Sequence, residues 1–308
     1  MAQVISRFSP AFDETLLDGA SVAFGVFDGV HEGHRFIIGE AVNSAREEGL
    51  ASAVITFDID PDEVFRPGEL KKLMTNEARL AKLAELDVDA VVVLPFSREF
   101  AAQSPDGFLE SCFGAGAPRH IHIGSDFHFG SKASGSVADL RRWGDARGME
   151  VHSHELLAEG GRPVSATRIR GLLGQGKVAE ANELLGRPYV LEGIVRAGRG
   201  EGTDFGFATA NLEIDPLMKA IGDGVYAAYA VVDGERYKAA VNVGVPATFA
   251  DRSTANIEVH ILDFARDIYG QPVQVEFIEW LRPMRPFDST EELIATVKAN
   301  IQWVRDNL

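Results

Sequence analysis

The stretch Val22-Ala-Phe-Gly-Val-Phe-Asp-Gly-Val-His-Glu-Gly-His34 decides the fold of the first half of the chain. It begins with a short apolar run, which is typical of a buried strand, and it breaks at Asp28-Gly29, a pair that favours a turn. His31 and His34 follow, directly before apolar residues at helical spacing. A strand, a turn and a helix start in this order place unpaired backbone N–H groups and the positive end of a helix dipole at one point. The pattern predicts an anion site, with a surface turn that happens to carry histidines as the alternative.

Strand-like apolar runs alternate with helical segments between Ser21 and about Met149. The predicted strands are Val22–Phe27, Ala51–Phe57, Val88–Leu94 and His120–Gly124, and the predicted helices lie near Arg35–Glu48, Asn76–Leu86, Ser104–Phe113 and Ser136–Gly148. This alternation predicts a Rossmann-like α/β domain, in which helices cover both faces of a parallel sheet. Ligands bind beyond the carboxyl ends of the strands in such sheets. His31 and His34 are therefore expected to face the binding crevice.

The pattern changes after two further predicted helices, Ala166–Leu173 and Val178–Leu185. β-branched and aromatic runs follow at Tyr189–Val195, Gly224–Val232, Tyr237–Val243, Ile257–Phe264 and Val273–Trp280. Asp233-Gly234 between two of these runs is a strong hairpin signal. Several short strands separated by turns predict a small antiparallel β-barrel, closed by a final helix that starts near Ser289. We therefore expect two domains, 1–186 and 187–308.

Composition restricts the classes of function. A length of 308 residues favours two domains, and the 45% hydrophobic content contains no run long enough to span a bilayer. The first residues do not resemble a signal peptide, so we expect a cytoplasmic protein. Cys112 is the only cysteine, which excludes an intrachain disulfide and a cysteine-based zinc site. A net charge of −16 argues against nucleic-acid binding but not against a nucleotide substrate, and no obligate protein partner is indicated.

Two further stretches of the first half are candidates for ligand binding. Val164-Ser-Ala-Thr-Arg-Ile-Arg170 reads as a helix start with Ser165 or Thr167 as the N-cap. Its hydroxyls and Arg170 would form a second phosphate site, whereas an ordinary capped helix is the alternative. Gly124–Gly130 follows a predicted strand and would bring Asp126 and His128 to the same sheet edge as His31, unless it is a purely structural turn.

The second half offers candidates for phosphoryl transfer. Thr209 and Asn211 would share one face of a strand, and their oxygen atoms suit magnesium. Glu258 alternates with Ile257 and Val259, so it should lie on the opposite face from them. A carboxylate there could accept a hydroxyl proton, and a solvated strand glutamate is the alternative.

Four further histidines form two pairs, His120 with His122 and His152 with His154. Each pair would share one face of a strand. Because no cysteine and no spaced carboxylate set accompanies them, we expect no metal site there.

Taken together, these stretches resemble the bacterial bifunctional riboflavin kinase/FMN adenylyltransferase family, also called FAD synthetase. The resemblance spans nearly the whole chain in the same order. Phe27–His34 looks like the nucleotidyltransferase signature, Gly124–Gly130 like the flavin-side loop and Val164–Arg170 like the second phosphate motif. The pieces similar to the kinase module are Gly206–Leu212, Ile257–Phe264, Asp267–Gly270 and Phe287–Ser289, after a junction at Leu185–Tyr189.

The resemblance implies two reactions that both use ATP. In the barrel, riboflavin would be phosphorylated to FMN, with Glu258 as general base and Gly206, Thr209 and Asn211 as ligands of the nucleotide, the last two also of Mg²⁺. In the first domain, the FMN phosphate would attack a second ATP to give FAD and pyrophosphate, with His31 and His34 as catalytic groups. The ATP-binding residues that the resemblance implies are Phe27, Asp28, Gly29, His31, His34, Ser165, Thr167 and Arg170, and the flavin-side loop contributes Asp126 and Phe127.

Several positions depart from the family pattern. Asp60 stands where a histidine is usual and Ala166 where a serine is usual, and the kinase module differs at Thr203, Ala208 and Ala247. Loss of an arginine at 203 could weaken phosphate binding. Two alternatives therefore stay open: an adenylyltransferase whose barrel only binds flavin, and a non-catalytic regulator that binds flavin nucleotides. Glu258 with Thr209 and Asn211 disfavours the first alternative, and the pair of His31 and His34 disfavours the second.

Overall fold

The computed structural model describes residues 1–114, 116–197, 207–244 and 257–308, without the side chain of Glu14. The chain forms two compact units, Met1–Leu70 with Thr75–Ala166, and Lys71–Met74 with Thr167–Leu308. Lys71–Met74 belongs to the second unit, where Lys72 forms a parallel bridge with Met218. The division between the two units, after Ala166, lies earlier in the chain than the predicted boundary between the functional domains, at residue 186. That functional boundary stays a prediction.

The first unit is built on a six-stranded sheet in the order β1-β4-β3-β2-β5-β6. Its strands are β1 (Gln3–Ser6), β2 (Ser21–Phe24), β3 (Ser52–Phe57), β4 (Ala90–Leu94), β5 (His120–Gly124) and β6 (Glu150–His154). Its helices are α1 (Glu32–Glu48), α2 (Pro61–Phe65), α3 (Asn76–Ala84), α4 (Arg98–Ala101), α5 (Pro105–Phe113) and α6 (Val137–Asp145), and β7 (Ala158–Glu159) pairs with β8 (Arg162–Pro163) in a separate ribbon. All neighbouring strands of the large sheet are parallel, which confirms the predicted α/β architecture.

The order of the strands locates the binding crevice of this sheet. β2 pairs with β3 on one side and with β5 on the other, so the direction of the crossovers reverses between β2 and β5. Ligands of open α/β sheets bind at such a switch point, beyond the carboxyl ends of the strands. The turn after β2 contains His31, and the loop after β5 contains Asp126. Both predicted stretches therefore leave the sheet at its expected ligand-binding edge.

Aromatic side chains fill the core beneath this edge. Phe24 at the end of β2 is buried, and its ring centroid lies 5.9 Å from that of Phe57 and 5.1 Å from that of Phe127. Phe108 and Phe113 of α5 pack against the same ring. Burial of such large apolar side chains is the main source of stability, and it anchors the loops that leave β2 and β5 to one rigid support.

The second unit includes α7 (Ala166–Gly174) from Thr167 onward and α8 (Val178–Leu185). A closed antiparallel barrel follows, in the order β10-β13-β12-β11-β14-β9. Its strands are β9 (Tyr189–Arg196), β10 (Ala210–Ile214), β11 (Gly224–Val232), β12 (Glu235–Val243), β13 (Ile257–Ile261) and β14 (Pro272–Arg282). The final helix α9 (Thr290–Asn307) packs Val304 against Ala227 and Leu262. The predicted small barrel with a closing helix is confirmed.

Backbone conformation explains where the predicted and observed strands differ. β2 ends at Phe24 rather than Phe27 because Phe27 has φ 60°, in the left-handed region. β13 ends at Ile261, before Asp263 with φ 57°. The Asp233-Gly234 hairpin is as predicted, since both residues have positive φ, as a type I′ turn requires. β1 was not predicted, because this edge strand is mostly exposed and lacks a continuous apolar run.

Over the described part of the chain, no helix combines the length and the apolar character that crossing a membrane requires.

Candidate functional site

The turn after β2 has an unusual backbone. Phe27 and Val30 have φ values of 60° and 40°, a region that bulky residues rarely adopt. Asp28, Gly29 and Val30 together form a buried 3₁₀ turn. Backbone conformations of this kind cost free energy and persist where the surrounding structure holds them, commonly at ligand sites. The turn therefore has a defined shape that brings the chain directly into the start of α1.

His31 caps the first turn of α1. Its Nδ1 accepts a hydrogen bond from the backbone N–H of His34 at 3.3 Å, so the proton of the neutral ring is on Nε2. The two imidazole rings are stacked with their centroids 3.5 Å apart, and the Phe27 ring is nearly perpendicular to that of His34, with the centroids 5.3 Å apart. Both histidines thus lie at the positive end of a 17-residue helix, as the sequence predicts. The arrangement offers ring and backbone donors to an anion.

Arg79 of α3 holds this turn, and sequence reasoning did not identify it. The residue is 1% exposed, and its guanidinium donates to the carbonyl oxygens of Val26 and Phe57 at 2.8 and 2.7 Å, and to Thr56 Oγ1 at 2.8 Å. Burial lowers the pKa of Arg79, and nearby carboxylates, with Asp28 first, oppose that shift. One side chain therefore ties together the segments that follow β2 and β3. An arginine at an otherwise apolar helix position was the only signal in the sequence.

The second phosphate motif begins beside the first turn of α1. A Cβ atom added to Gly33 would lie 3.3 Å from the carbonyl oxygen of Val164, so the backbone just before α7 passes close to the helix start. α7 begins at Ala166, and Ser165 is the residue directly before it. Thr167 and Arg170 belong to the second unit, where Arg170 Nε donates to the carbonyl oxygen of Lys71 at 2.7 Å. The predicted helix start is confirmed, and the phosphate-binding roles stay predictions.

The flavin-side loop follows β5. Phe127 is half-buried against Phe24, whereas Asp126 and His128 are exposed. His128 Nδ1 lies 2.8 Å from the carbonyl oxygen of Asp126, and a Cβ added to Gly124 would lie only 2.8 Å from Asp126 Oδ1. Gly124 therefore permits the loop to fold back on itself. The ring of Phe127 anchors the loop and leaves the Asp126 carboxylate at the crevice edge.

A row of polar side chains crosses three strands of the barrel. Asn211 of β10 and Asn242 of β12 are the register partners of Glu258 on its two sides in β13. Directly opposed residues of antiparallel strands have side chains on the same face. Glu258 is half-buried on the face opposite to buried Ile257 and Val259, as predicted. Asn242 is a residue that sequence reasoning missed, because only the strand register places it beside Glu258.

Of two other predicted kinase residues, Thr209 and Gly206, the structure describes only Thr209. Thr209 is half-buried and directly precedes β10, so it is not itself part of the strand. Gly206 lies outside the described residues, as do the glycine-rich stretch 198–202 and the positions 203 and 247 that depart from the family pattern. Ala208 is exposed, and its carbonyl oxygen lies 2.9 Å from His260 Nδ1 of β13.

The four remaining histidines form one group on β5 and β6. Two carboxylates reach this group although no spaced carboxylate set accompanies the histidines in the sequence: His120 lies 3.0 Å from Glu48 of α1 and 3.8 Å from Glu150. Glu48 is 72 positions away in the chain, so sequence spacing could not reveal the contact. This group lies outside both the His31 turn and the Glu258 row.

Comparisons with known proteins agree with this geometry. The family model described as FAD synthetase matches residues 13–168, and the one described as riboflavin kinase matches residues 185–308. The bifunctional riboflavin kinase/FMN adenylyltransferase of Listeria monocytogenes is 35% identical over 286 residues, which are 92% of this chain and 91% of the relative. The protein of the same description from Bacillus subtilis is 34% identical over 285 residues, 91% of this chain and 90% of the relative.

A solved structure has the same fold over its whole length. It is described as a macrolide-efflux protein from Streptococcus pneumoniae, is 29% identical in sequence, and superposes with a TM-score of 0.81 over 99% of both chains. The family matches cover the two units in the order that the sequence motifs predict, and the relatives extend across nearly the full chain. The chain belongs to the bifunctional riboflavin kinase/FMN adenylyltransferase family.

Proposed function

We propose that this enzyme makes FMN from riboflavin and then FAD from FMN, with ATP as the co-substrate of both reactions. The observation that carries the proposal is the match of each half of the chain to the family model of one of the two activities. Each half also holds residues to which we assign phosphate chemistry, the His31 turn in one and the Glu258 row in the other. We propose the functional domains 1–186 and 187–308.

In the kinase reaction, the 5′-hydroxyl of riboflavin attacks the γ-phosphorus of ATP, the bond to the β-phosphate oxygen breaks, and ADP leaves. We assign Glu258 as the base that accepts the hydroxyl proton. Its half-buried position between Asn211 and Asn242 supports this role, because amide groups on both sides can orient a carboxylate without adding charge.

Thr209 and Asn211 are the proposed ligands of magnesium. A hydroxyl and an amide oxygen two residues apart are hard oxygen donors of the kind that Mg²⁺ binds. Asn211 also directly neighbours Glu258, so the metal would be held beside the base. When bound, the ion would neutralise charge on the ATP phosphates, and the protein's own contribution is to position the hydroxyl and the phosphates.

In the adenylyl transfer, an oxygen of the FMN phosphate attacks the α-phosphorus of ATP, the bond to the β-phosphate breaks, and pyrophosphate leaves. The attacking phosphate is already ionised, so the site needs no strong base. His31 Nε2–H, His34 and the backbone N–H groups of the first turn of α1 are the proposed donors to the phosphates. Phe27, Asp28 and Gly29 shape that turn, and Ser165, Thr167 and Arg170 are proposed phosphate ligands because of the family motif.

Asp126 and Phe127 are the proposed flavin-side contacts. Phe127 is held by the aromatic core, and Asp126 is exposed at the loop that leaves the switch point. Location in the cytoplasm, and action on small molecules without a nucleic-acid, membrane or obligate protein partner, stay predictions.

The test uses the purified full chain with riboflavin, ATP and Mg²⁺, followed by chromatographic separation of the flavins. We expect FMN to form first and FAD to follow. FAD that forms only when FMN is supplied would support an adenylyltransferase with an inactive barrel. Flavin binding without any product would support a regulator and contradict the proposal.

A further inference from the structure

Four imidazoles form a continuous row on β5 and β6, and Glu48 and Phe36 of α1 contact its two ends. His120 and His122 come from β5, and His152 and His154 come from the edge strand β6. The ring of His152 lies between those of His120 and His122, with centroid distances of 5.1 and 4.6 Å, and His154 follows at 5.2 Å from His122. At one end of the row, His120 lies within 4 Å of the carboxylates of Glu48 and Glu150.

The nitrogen atoms of His120 face two different kinds of partner. Nε2 lies 3.0 Å from Glu48 Oε1, and Nδ1 lies 3.0 Å from His152 Nε2 and 3.8 Å from Glu150 Oε2. A carboxylate that accepts the proton of one ring nitrogen fixes the tautomer, so the lone pair lies on the other nitrogen. Glu48 therefore directs the lone pair of His120 Nδ1 toward His152 and Glu150. The same relation of carboxylate to histidine orients the ligands of metal sites.

The three atoms that converge have the spacing of metal ligands. His120 Nδ1, His152 Nε2 and a carboxylate oxygen of Glu150 all lie within 4.8 Å of one another. Tetrahedral zinc with bonds of about 2.0–2.1 Å has neighbouring ligand atoms about 3.3–3.4 Å apart. The distance from His120 Nδ1 to His152 Nε2 is 3.0 Å and that from His120 Nδ1 to Glu150 Oε2 is 3.8 Å, one below and one above this value. Since the Glu150 side chain is 50% exposed, a small change of its rotamer is enough.

Charges around the group favour a single oxygen ligand from Glu150. Arg119 Nη2 lies 2.8 Å from Glu150 Oε1, which leaves Oε2 on the side of His120. His120 is buried, with 4% of the residue exposed. A neutral ring is the form that donates a lone pair to a metal. Two imidazole nitrogens and one carboxylate suit zinc and similar transition ions, whereas magnesium and calcium prefer oxygen ligands.

We propose that His120, His152 and Glu150 form a binding site for a divalent transition metal ion of the zinc type. Water completes the fourth position, and Glu48 is the positioning residue for His120. The ion would connect the edge strand β6 to β5, whose chain continues directly into the loop of Asp126. The site is distinct from the magnesium ligands proposed in the barrel, and it does not depend on the proposed reactions.

The test measures binding of the metal alone to the untagged full chain after treatment with EDTA. Titration with ZnCl₂ in a calorimeter should show one equivalent bound, and Zn²⁺ should raise the melting temperature of the chain. Co²⁺ should give the visible absorption of a tetrahedral nitrogen–oxygen site. Absence of a one-equivalent event at pH 7.5 overturns the proposal.

Variants test whether the Zn²⁺ binds at His120, His152 and Glu150. Glu150→Gln removes an exposed ligand without opening the core, and it should weaken Zn²⁺ binding by more than 10-fold, as should His152→Gln. Glu48→Gln should weaken binding by about 10-fold, the low end for loss of an outer partner of a ligand. His128→Gln, an exposed histidine outside the group, and the double variant His31→Ala/His34→Ala should bind as the unmodified chain does. Unchanged binding in Glu150→Gln and His152→Gln, or loss of binding in the His31/His34 variant, contradicts the assignment.

Discussion

Glu258 is the residue whose replacement most directly separates the two activities. Glu258→Gln keeps the shape and the polarity of the side chain but removes the base, so we expect FMN formation from riboflavin to fall by about 10²–10⁴-fold. Conversion of supplied FMN to FAD should remain within about 2-fold, because that reaction is assigned to the other unit. Initial rates for both conversions, measured by flavin chromatography, check this expectation.

Glu192→Gln is the matched control for Glu258. Glu192 is an exposed strand glutamate of the same barrel, and it pairs with Gln274 rather than with the Asn211 row. It should keep both activities. Equal loss of both activities in Glu258→Gln would contradict the assignment of the kinase reaction to the barrel.

His31 and His34 are predicted to act on phosphate charge. Their replacement by Ala removes donors at the start of α1, and loss of one preorganised donor typically costs about 10²–10³-fold in rate. We expect FMN to accumulate from riboflavin while FAD formation falls by at least that factor. Arg46→Ala, at the exposed last turn of the same helix, is the control that should form FAD normally. Normal FAD formation in the histidine variant would exclude both rings as phosphate ligands.

At the scale of elements, Arg79 connects α3 to the segments after β2 and β3. Arg79→Met keeps much of the side-chain volume but removes the guanidinium donor of the Phe57 carbonyl oxygen and of Thr56 Oγ1, and it leaves the Val26 carbonyl oxygen only its hydrogen bond from Thr56 Oγ1. Loss of a buried hydrogen-bond partner costs about 1–3 kcal/mol. We therefore expect the free energy of unfolding of the first unit to fall by about 2–5 kcal/mol in urea titrations. Adenylyl transfer should decline more than riboflavin phosphorylation, because the turn that positions His31 loses its support.

Arg98→Met provides the comparison for Arg79. Arg98 is an exposed arginine that donates to a single carbonyl oxygen, that of Val64. Its replacement should change the stability by no more than about 1 kcal/mol, as is usual for surface positions. Equal stability of the two variants would show that Arg79 does not organise the turn.

At the scale of the whole molecule, the boundary between the functional domains can be tested with fragments. Asn182 of α8 donates to the carbonyl oxygen of Phe277 at 2.8 Å and accepts from the backbone N–H of Tyr189 at 2.7 Å. A fragment 187–308 lacks these hydrogen bonds and the buried leucines of α8, whereas a fragment 167–308 retains them. We expect both fragments to phosphorylate riboflavin and to lack FAD synthesis.

The melting temperatures of the two fragments give the second measurement. The two hydrogen bonds and the packing of α8 contribute at least about 2 kcal/mol to the free energy of unfolding of the longer fragment. Domains of this size change their melting temperature by about 3–6 °C for each kcal/mol of that free energy. The longer fragment should therefore melt at least about 6 °C higher. Equal melting temperatures would place the structural boundary at residue 186 rather than at Ala166.

The sequence by itself determined the elements that local patterns encode. Buried runs such as Ala51–Phe57 and the Asp233-Gly234 turn identify strands and a hairpin, because the period of burial and the backbone preferences of glycine act over a few residues. The strand-turn-helix order around His31 likewise predicts a helix start beside two histidines at the ligand edge of a parallel sheet. The motif order then identifies the family, which the comparisons confirm.

Only the tertiary structure decided which distant polar groups meet. Asn242 faces Glu258 because β12 and β13 pair in one register, and that register is set by burial of the whole barrel rather than by nearby residues. Glu48 reaches His120 because α1 crosses β5, and Arg79 reaches the turn after β2 because α3 packs below it. Contacts of this kind depend on how complete elements pack, so no local spacing in the sequence contains them.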